Sequence, residues 1–307
     1  MKDEIIKEVY FTIIYFNVLK RPPSTFEVWR FFMDFSKRKT ACSYEEAVKV
    51  LEKLQEQRKI LNKNGFWVLP EKQDLSKERI LRQKISVSKI KRAAFWIKLM
   101  NLIPYCKGVF SSGALTLGNC GKNSDWDILV VIKKNRIWIG RFFVTVFLAF
   151  LGKRRSSKKI ADRFCLNHFI TENNLVFADR SEFAALDKSF MTSFLGKEYF
   201  HKMQQLNFAW SRLSMPNFSQ DAFGYDYFNC RNTFLILIRE QLERILEFLR
   251  LGGLLNNFCR KVMIKKIEKN PETHREGAFI VYNEGELAFW PKPKKNELLL
   301  KIQNQFF

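Results

Sequence analysis

Histidine is scarce in this chain, with three in 307 residues, at positions 168, 201 and 274. They share no ligand spacing with the six cysteines (42, 106, 120, 165, 230 and 259), and no two cysteines form a C-x-x-C pair. A zinc site is therefore not expected, and scattered cysteines fit reduced thiols and a cytoplasmic location. Acids are also in short supply: 31 Asp and Glu stand against 53 Lys and Arg, a net charge of +22. Such an excess draws polyanions, nucleic acid first and an acidic membrane surface second, unless it is simply a solvated basic surface. Long apolar runs are missing too. Phe142 to Leu151 holds 10 uncharged residues between Arg141 and Lys153-Arg154-Arg155, whereas crossing a bilayer takes about 20. The run reads as a buried helix, with an interfacial helix as the alternative, and no stable membrane insertion is expected. Met1-Lys2-Asp3-Glu4 does not open a signal peptide, and no internal repeat is visible.

What is present suffices for two or three packed domains, since 47% of residues are hydrophobic and 31 are phenylalanine. In residues 1–72, Ile5, Ile6, Val9, Tyr10, Ile13 and Ile14 form the apolar stripe of a first helix. Pro22-Pro23 stops it, and Ser24-Thr25-Phe26-Glu27 and Ser43-Tyr44-Glu45-Glu46 are capping boxes opening two more. A hairpin around Asn64-Gly65 follows. Three helices and a hairpin in this order read as a winged helix-turn-helix. Its third helix mixes Glu45, Glu46, Glu52 and Glu56 with Lys49, Lys53 and Arg58, so docking to protein competes with binding of duplex DNA. Residues 73–104 read as a linker helix carrying Lys77, Arg79, Arg82, Lys84, Lys89, Lys91, Arg92 and Lys98. It is either a track for a phosphate backbone or a solvated face.

The richest stretch runs from Phe110 to Ile132. A short apolar strand breaks at Gly113, a loop with Gly118 and Gly121 follows, and a second strand opens at Asp125-Trp126-Asp127. Residues two apart on a strand share a face, so the two carboxylates project together. Like charges held that close repel unless a cation lies between them, and Mg²⁺ favours oxygen ligands. Glycines in the neighbouring loop let backbone N–H groups approach phosphate oxygens.

This arrangement resembles the signature of the DNA polymerase β-like nucleotidyltransferase superfamily, over roughly residues 105–175. Gly113 matches the first glycine of the motif, Gly118 the second, and Asp125 and Asp127 the paired metal ligands. The resemblance implies Mg²⁺ or Mn²⁺ on those two carboxylates and an NTP held by Ser112, Gly113, Ala114, Gly118 and Ser124. It further implies transfer of a nucleoside monophosphate to a hydroxyl acceptor. Two positions depart from it. Ala114 stands where the motif has serine, with Ser111 and Ser112 as partial substitutes. The third carboxylate, sought on Phe164 to Ile170, falls at Asn167, while Asp162 and Glu172 have the opposite face parity. The alternative implied is a catalytically degenerate fold that binds nucleic acid. RNA or DNA would meet the basic residues 77–98 and 153–159.

The expected fold class is α+β. It comprises a winged helix-turn-helix (1–72), a linker helix (73–104), a mixed-sheet nucleotidyltransferase core (105–182) and a helical C-terminal domain (183–307). That last region ends in a short hairpin near Asn283 to Gly285. His168 reads as a strand residue facing a helix layer, not as a catalytic base.

Overall fold

A computed structural model describes residues 3–34, 41–219, 229–291 and 302. The chain begins with α1 (Asp3–Val18), α2 (Thr25–Arg30) and α3 (Tyr44–Glu56), then a hairpin of β1 (Leu61–Lys63) and β2 (Phe66–Val68). Both capping boxes form: Ser24 with Glu27, and Ser43 with Glu46. Asn64 and Gly65 take positive φ, 55° and 79°, as a tight two-residue turn requires. Asn17 ties helix to hairpin, donating to the Trp67 carbonyl at 3.0 Å and accepting from Leu69 N–H at 3.3 Å. The apolar core of this unit extends to Ala185, Leu186, Met215 and Phe218 from much later in the chain.

The 25-residue α4 (Leu75–Leu99) leads into a six-stranded mixed sheet of order β6-β3-β4-β5-β8-β7. Its strands are β3 (Cys106–Ser111), β4 (Trp126–Ile132), β5 (Phe164–Thr171), β6 (Thr192–Leu195), β7 (Phe279–Tyr282) and β8 (Glu286–Trp290). Only β4 and β5 run parallel; the other neighbours are antiparallel. A parallel pair needs a crossover, which is α6 (Ile137–Phe150). The hairpin turn at Asn283 is held by its side chain, which accepts from the N–H groups of Gly285 and Glu286 at 2.8 Å each. Three of the six strands thus come from beyond residue 182.

One sheet face is covered by α6, α9 (Thr233–Phe248), α10 (Leu251–Glu268) and the end of α4. The opposite face packs against α8 (Lys197–Ser214) through Phe200 and Met203. The apolar run at 142–151 lies in α6, with Val144 and Leu148 buried and Phe142, Val146 and Phe150 exposed. Among the described residues, no helix is long and apolar enough to cross a membrane. The start of α6 sits tightly on the sheet, because a Cβ on Gly140 would come within 2.5 Å of Ile132 Cγ2. Gly140→Ala is accordingly expected to cost about 1–3 kcal/mol of stability. Urea unfolding measures it, and an unchanged midpoint would show that α6 shifts freely on β4.

Candidate functional site

After Ser111 the chain turns through Ser112 and Gly113 into the short α5 (Gly113–Thr116). Gly113 has φ +63°, and a Cβ there would lie 2.8 Å from Asp127 Oδ2. Glycine is what lets this turn approach the carboxylate. Ser112 N–H donates to the Asp127 carbonyl at 3.1 Å. Gly113 N–H donates to Oδ1 of Asp187 at 3.0 Å, an acid of α7 (Glu182–Ser189).

Asp125, just before β4, and Asp127, its second residue, meet Cys165 of β5. One ligand atom from each of the three lies within 4.8 Å of the others. The parallel register explains the third member, since Asp127 pairs with Cys165. Two residues on, Leu129 pairs with His168, so β5 carries one extra residue across this step. Asn167, expected at the third position, falls in that irregularity. Asp162 and Glu172 point elsewhere: Asp162 bonds Lys89 and Arg92, and Glu172 accepts from Lys134 N–H and the Tyr199 hydroxyl.

Arg155, from the basic segment 153–159, donates to Asp125 Oδ2 at 2.8 Å and to Cys165 Sγ at 3.3 Å. Burial pushes the Asp127 carboxyl up to about 7, with the charges of Asp125 and Asp187 acting in the same direction. Burial and the Asp127 charge likewise push the Cys165 thiol up to about 12. Two carboxylates and a thiol that converge, with the central acid strained by its neighbours, form a donor set that fits a divalent cation.

The remaining predicted residues frame this centre. Ala114 and Gly118 line the turn, half-buried, and Gly118 has φ +66°. Ser124 Oγ accepts from Gly121 N–H at 2.9 Å, so its hydroxyl closes the loop. Ser111 is fully buried, with its hydroxyl unpaired, and does not replace the serine missing at Ala114. His168 is buried between β5 and β8, bonded to Glu286 Oε1 at 2.9 Å, and burial lowers its pKa. It is a strand residue facing the interior.

Two of the eight basic side chains of α4, Arg79 and Lys89, are buried inside the protein. Lys89 is 1% exposed and donates to the carbonyls of Lys122 and Ser124 at 2.9 Å each and to Asp162 Oδ1 at 2.7 Å. Ser86 Oγ accepts from Cys120 N–H at 2.9 Å. The N-terminal unit grips the same loop. Arg21 donates to the Leu117 carbonyl, and Asn119 donates to the Leu19 carbonyl at 2.8 Å. Arg21 is itself set in a buried cluster with Glu27 and Arg79.

Three contributors were not found from sequence: Cys165, Asp187 and the particular arginine, Arg155. Cys165 has the same parity as Asn167, so the face was legible and the register was not. Asp187 carries no local signal, lying in an ordinary amphipathic helix. Compared with protein-family models, curated proteins and solved structures, the chain gives no match.

Proposed function

We propose that this protein is a metal-dependent nucleotidyltransferase of the DNA polymerase β-like superfamily, acting in the cytoplasm. It would transfer a nucleoside monophosphate from an NTP to a hydroxyl on an RNA end, a protein or a small molecule. The observation that carries this reading is the convergence of Asp125 and Asp127 beside a turn that comes close to Asp127 because residue 113 is glycine. Mg²⁺ or Mn²⁺ held by the pair would supply neutralisation of the triphosphate charge. Asp125 and Asp127 orient that charge against the turn, where the first N–H groups of α5, at Gly113 and Ala114, would face phosphate oxygens once Asp187 lets go.

Two side chains must move for this to happen. Arg155 leaves Asp125 and, with a side chain already 44% exposed, becomes a phosphate-binding guanidinium. Asp187 releases Gly113 N–H. Lys77, Lys84, Lys91 and Lys98 stay exposed at intervals of seven residues along one side of α4, a spacing suited to following an RNA or DNA backbone. The N-terminal unit, read as a winged helix, serves here as a brace for the loop. Glu45, Lys49, Glu52 and Glu56 make the outward stripe of α3 mostly acidic, which disfavours contact with phosphates.

Ala114 and the Arg155 and Asp187 contacts favour a second reading, a degenerate nucleotidyltransferase fold acting as a nucleic-acid-binding regulator. Incubation with α-labelled NTPs, Mg²⁺ or Mn²⁺ and total RNA separates the two, with an Asp125→Ala/Asp127→Ala double variant as control. Label transferred by the wild type alone establishes the enzyme and its acceptor class. Salt-dependent RNA binding without transfer establishes the regulator.

A further inference from the structure

Cys165 gives the centre a donor of a different kind from its two carboxylates. In a pair of carboxylates completed by a third acid, all donors are hard oxygens, which suit Mg²⁺. Here the donor beside Asp127 is sulfur, placed there by the in-register pairing of β4 with β5. The thiol lies within 4.8 Å of ligand atoms from both carboxylates. It is also singled out among the six cysteines: none is in a disulfide, five are buried, and Cys165 alone is half-buried. Arg155 bonds to Asp125 and Cys165 together, so a cationic group already bridges a carboxylate and the sulfur.

We infer that Asp125, Asp127 and Cys165 form a mixed oxygen–sulfur centre that takes a borderline transition-metal dication, Zn²⁺ or Co²⁺, in preference to Mg²⁺. This rests on the proposal that the two carboxylates hold a metal. Thiolate donors favour Zn²⁺ and its neighbours, while carboxylate and water favour Mg²⁺ and Mn²⁺, and affinities rise from Mn²⁺ towards Co²⁺ and Zn²⁺ at a given nitrogen, oxygen or sulfur site. Binding through sulfur displaces the thiol proton to solvent, with no change in oxidation state. Arg155 must swing out at the same time, since its guanidinium occupies the donors. Nucleotidyl transfer would then run best with a transition metal.

The test uses the full-length chain and bare metal ions. Titration with Co²⁺ is expected to give a near-ultraviolet thiolate-to-cobalt charge-transfer band that is lost in Cys165→Ser. That variant should bind Co²⁺ at least about ten- to a hundredfold more weakly, the scale of loss already typical when only an outer-shell partner of a metal ligand is removed. Cys165→Asp should move preference towards Mg²⁺. Independently of any variant, Zn²⁺ should protect Cys165 of the native protein from alkylation, read by peptide mass, and equimolar Mg²⁺ should not. Co²⁺ bound with no charge-transfer band, or Zn²⁺ bound without protection of the thiol, would overturn the sulfur ligand while leaving a carboxylate metal site. Binding of neither Co²⁺ nor Mg²⁺ would remove the metal centre altogether, and with it the transferase reading.

Discussion

Asp127→Asn is expected to make the metal-free protein more stable at pH 8 while abolishing metal-dependent NTP binding. The folded protein holds the Asp127 carboxyl at about 7, because of its burial and the nearby charges of Asp125 and Asp187. An exposed aspartate ionises near pH 3.9, so folding raises this pKa. Ionising Asp127 therefore opposes folding: the cost is absent below about pH 4, grows between pH 4 and 7, and is complete above. At about 1.4 kcal/mol per unit the ceiling is roughly 4 kcal/mol, and solvent at the open end of β4 brings the expected gain to about 1–2 kcal/mol. Asparagine matches the shape and removes the charge. Urea unfolding in chelator at pH 5 and pH 8 should show a gain that is larger at pH 8. Equal stability of the two proteins at pH 8 would mean the carboxyl is not strained. In the same variant, titration with Mg²⁺ or Mn²⁺ and an NTP should show no binding, and unchanged affinity would remove Asp127 from the metal site. A side chain that weakens the fold and is needed for ligand is the signature of a functional residue.

The second large effect lies far from the carboxylates. Glu27→Ala is expected to cost about 3–5 kcal/mol, because it leaves two buried guanidiniums without their counter-charge. Arg79 Nη1 lies 2.7 Å from Glu27 Oε2, Arg21 bonds Oε1, and the side chains of both arginines are 8% exposed. Arg21 also stacks over Phe190, 4.7 Å from the ring centroid. Burial by itself would raise the Glu27 carboxyl, but the Arg21 charge and the bonds from Arg79 and Ser24 hold it at about 2. The stabilisation is thus present above about pH 4.5 and is lost as pH falls towards 2. The variant should lose that part of the acid transition. Glu27→Gln keeps a cap acceptor for Ser24 N–H and removes the charge, so it separates capping from ion pairing. If Glu27→Gln is as stable as the wild type, the charge is not what stabilises the cluster. Because Arg21 grips the Leu117 carbonyl, weaker NTP binding by the folded variant is the expected functional consequence.

The elements legible before folding were those set by neighbours in sequence. Ser24 with Glu27 and Ser43 with Glu46 are three residues apart, and Asn64-Gly65 needs nothing beyond its own backbone preferences. Asp125 and Asp127 share a face because strand geometry alternates, and the approach of the turn to Asp127 is traceable to the missing Cβ of Gly113. Lys89 and Arg79 were different. On α4 they looked like part of a solvated basic face, and only the loop carbonyls, Asp162, Glu27 and Pro22 turned them inward.

The third donor was of the same kind. On β5, residues 165 and 167 share parity, and nothing local distinguishes cysteine from asparagine as the partner of Asp127. A parallel pair has no tight turn to pin its register. The packing of the α6 crossover on the sheet, and the extra residue between Cys165 and His168, decided it. Asp187 and Arg155 reach the centre from a helix and a loop whose positions depend on the whole core. Local chemistry thus wrote two carboxylates and a turn into the chain, while long-range packing chose the sulfur, the arginine and the third acid that surround them.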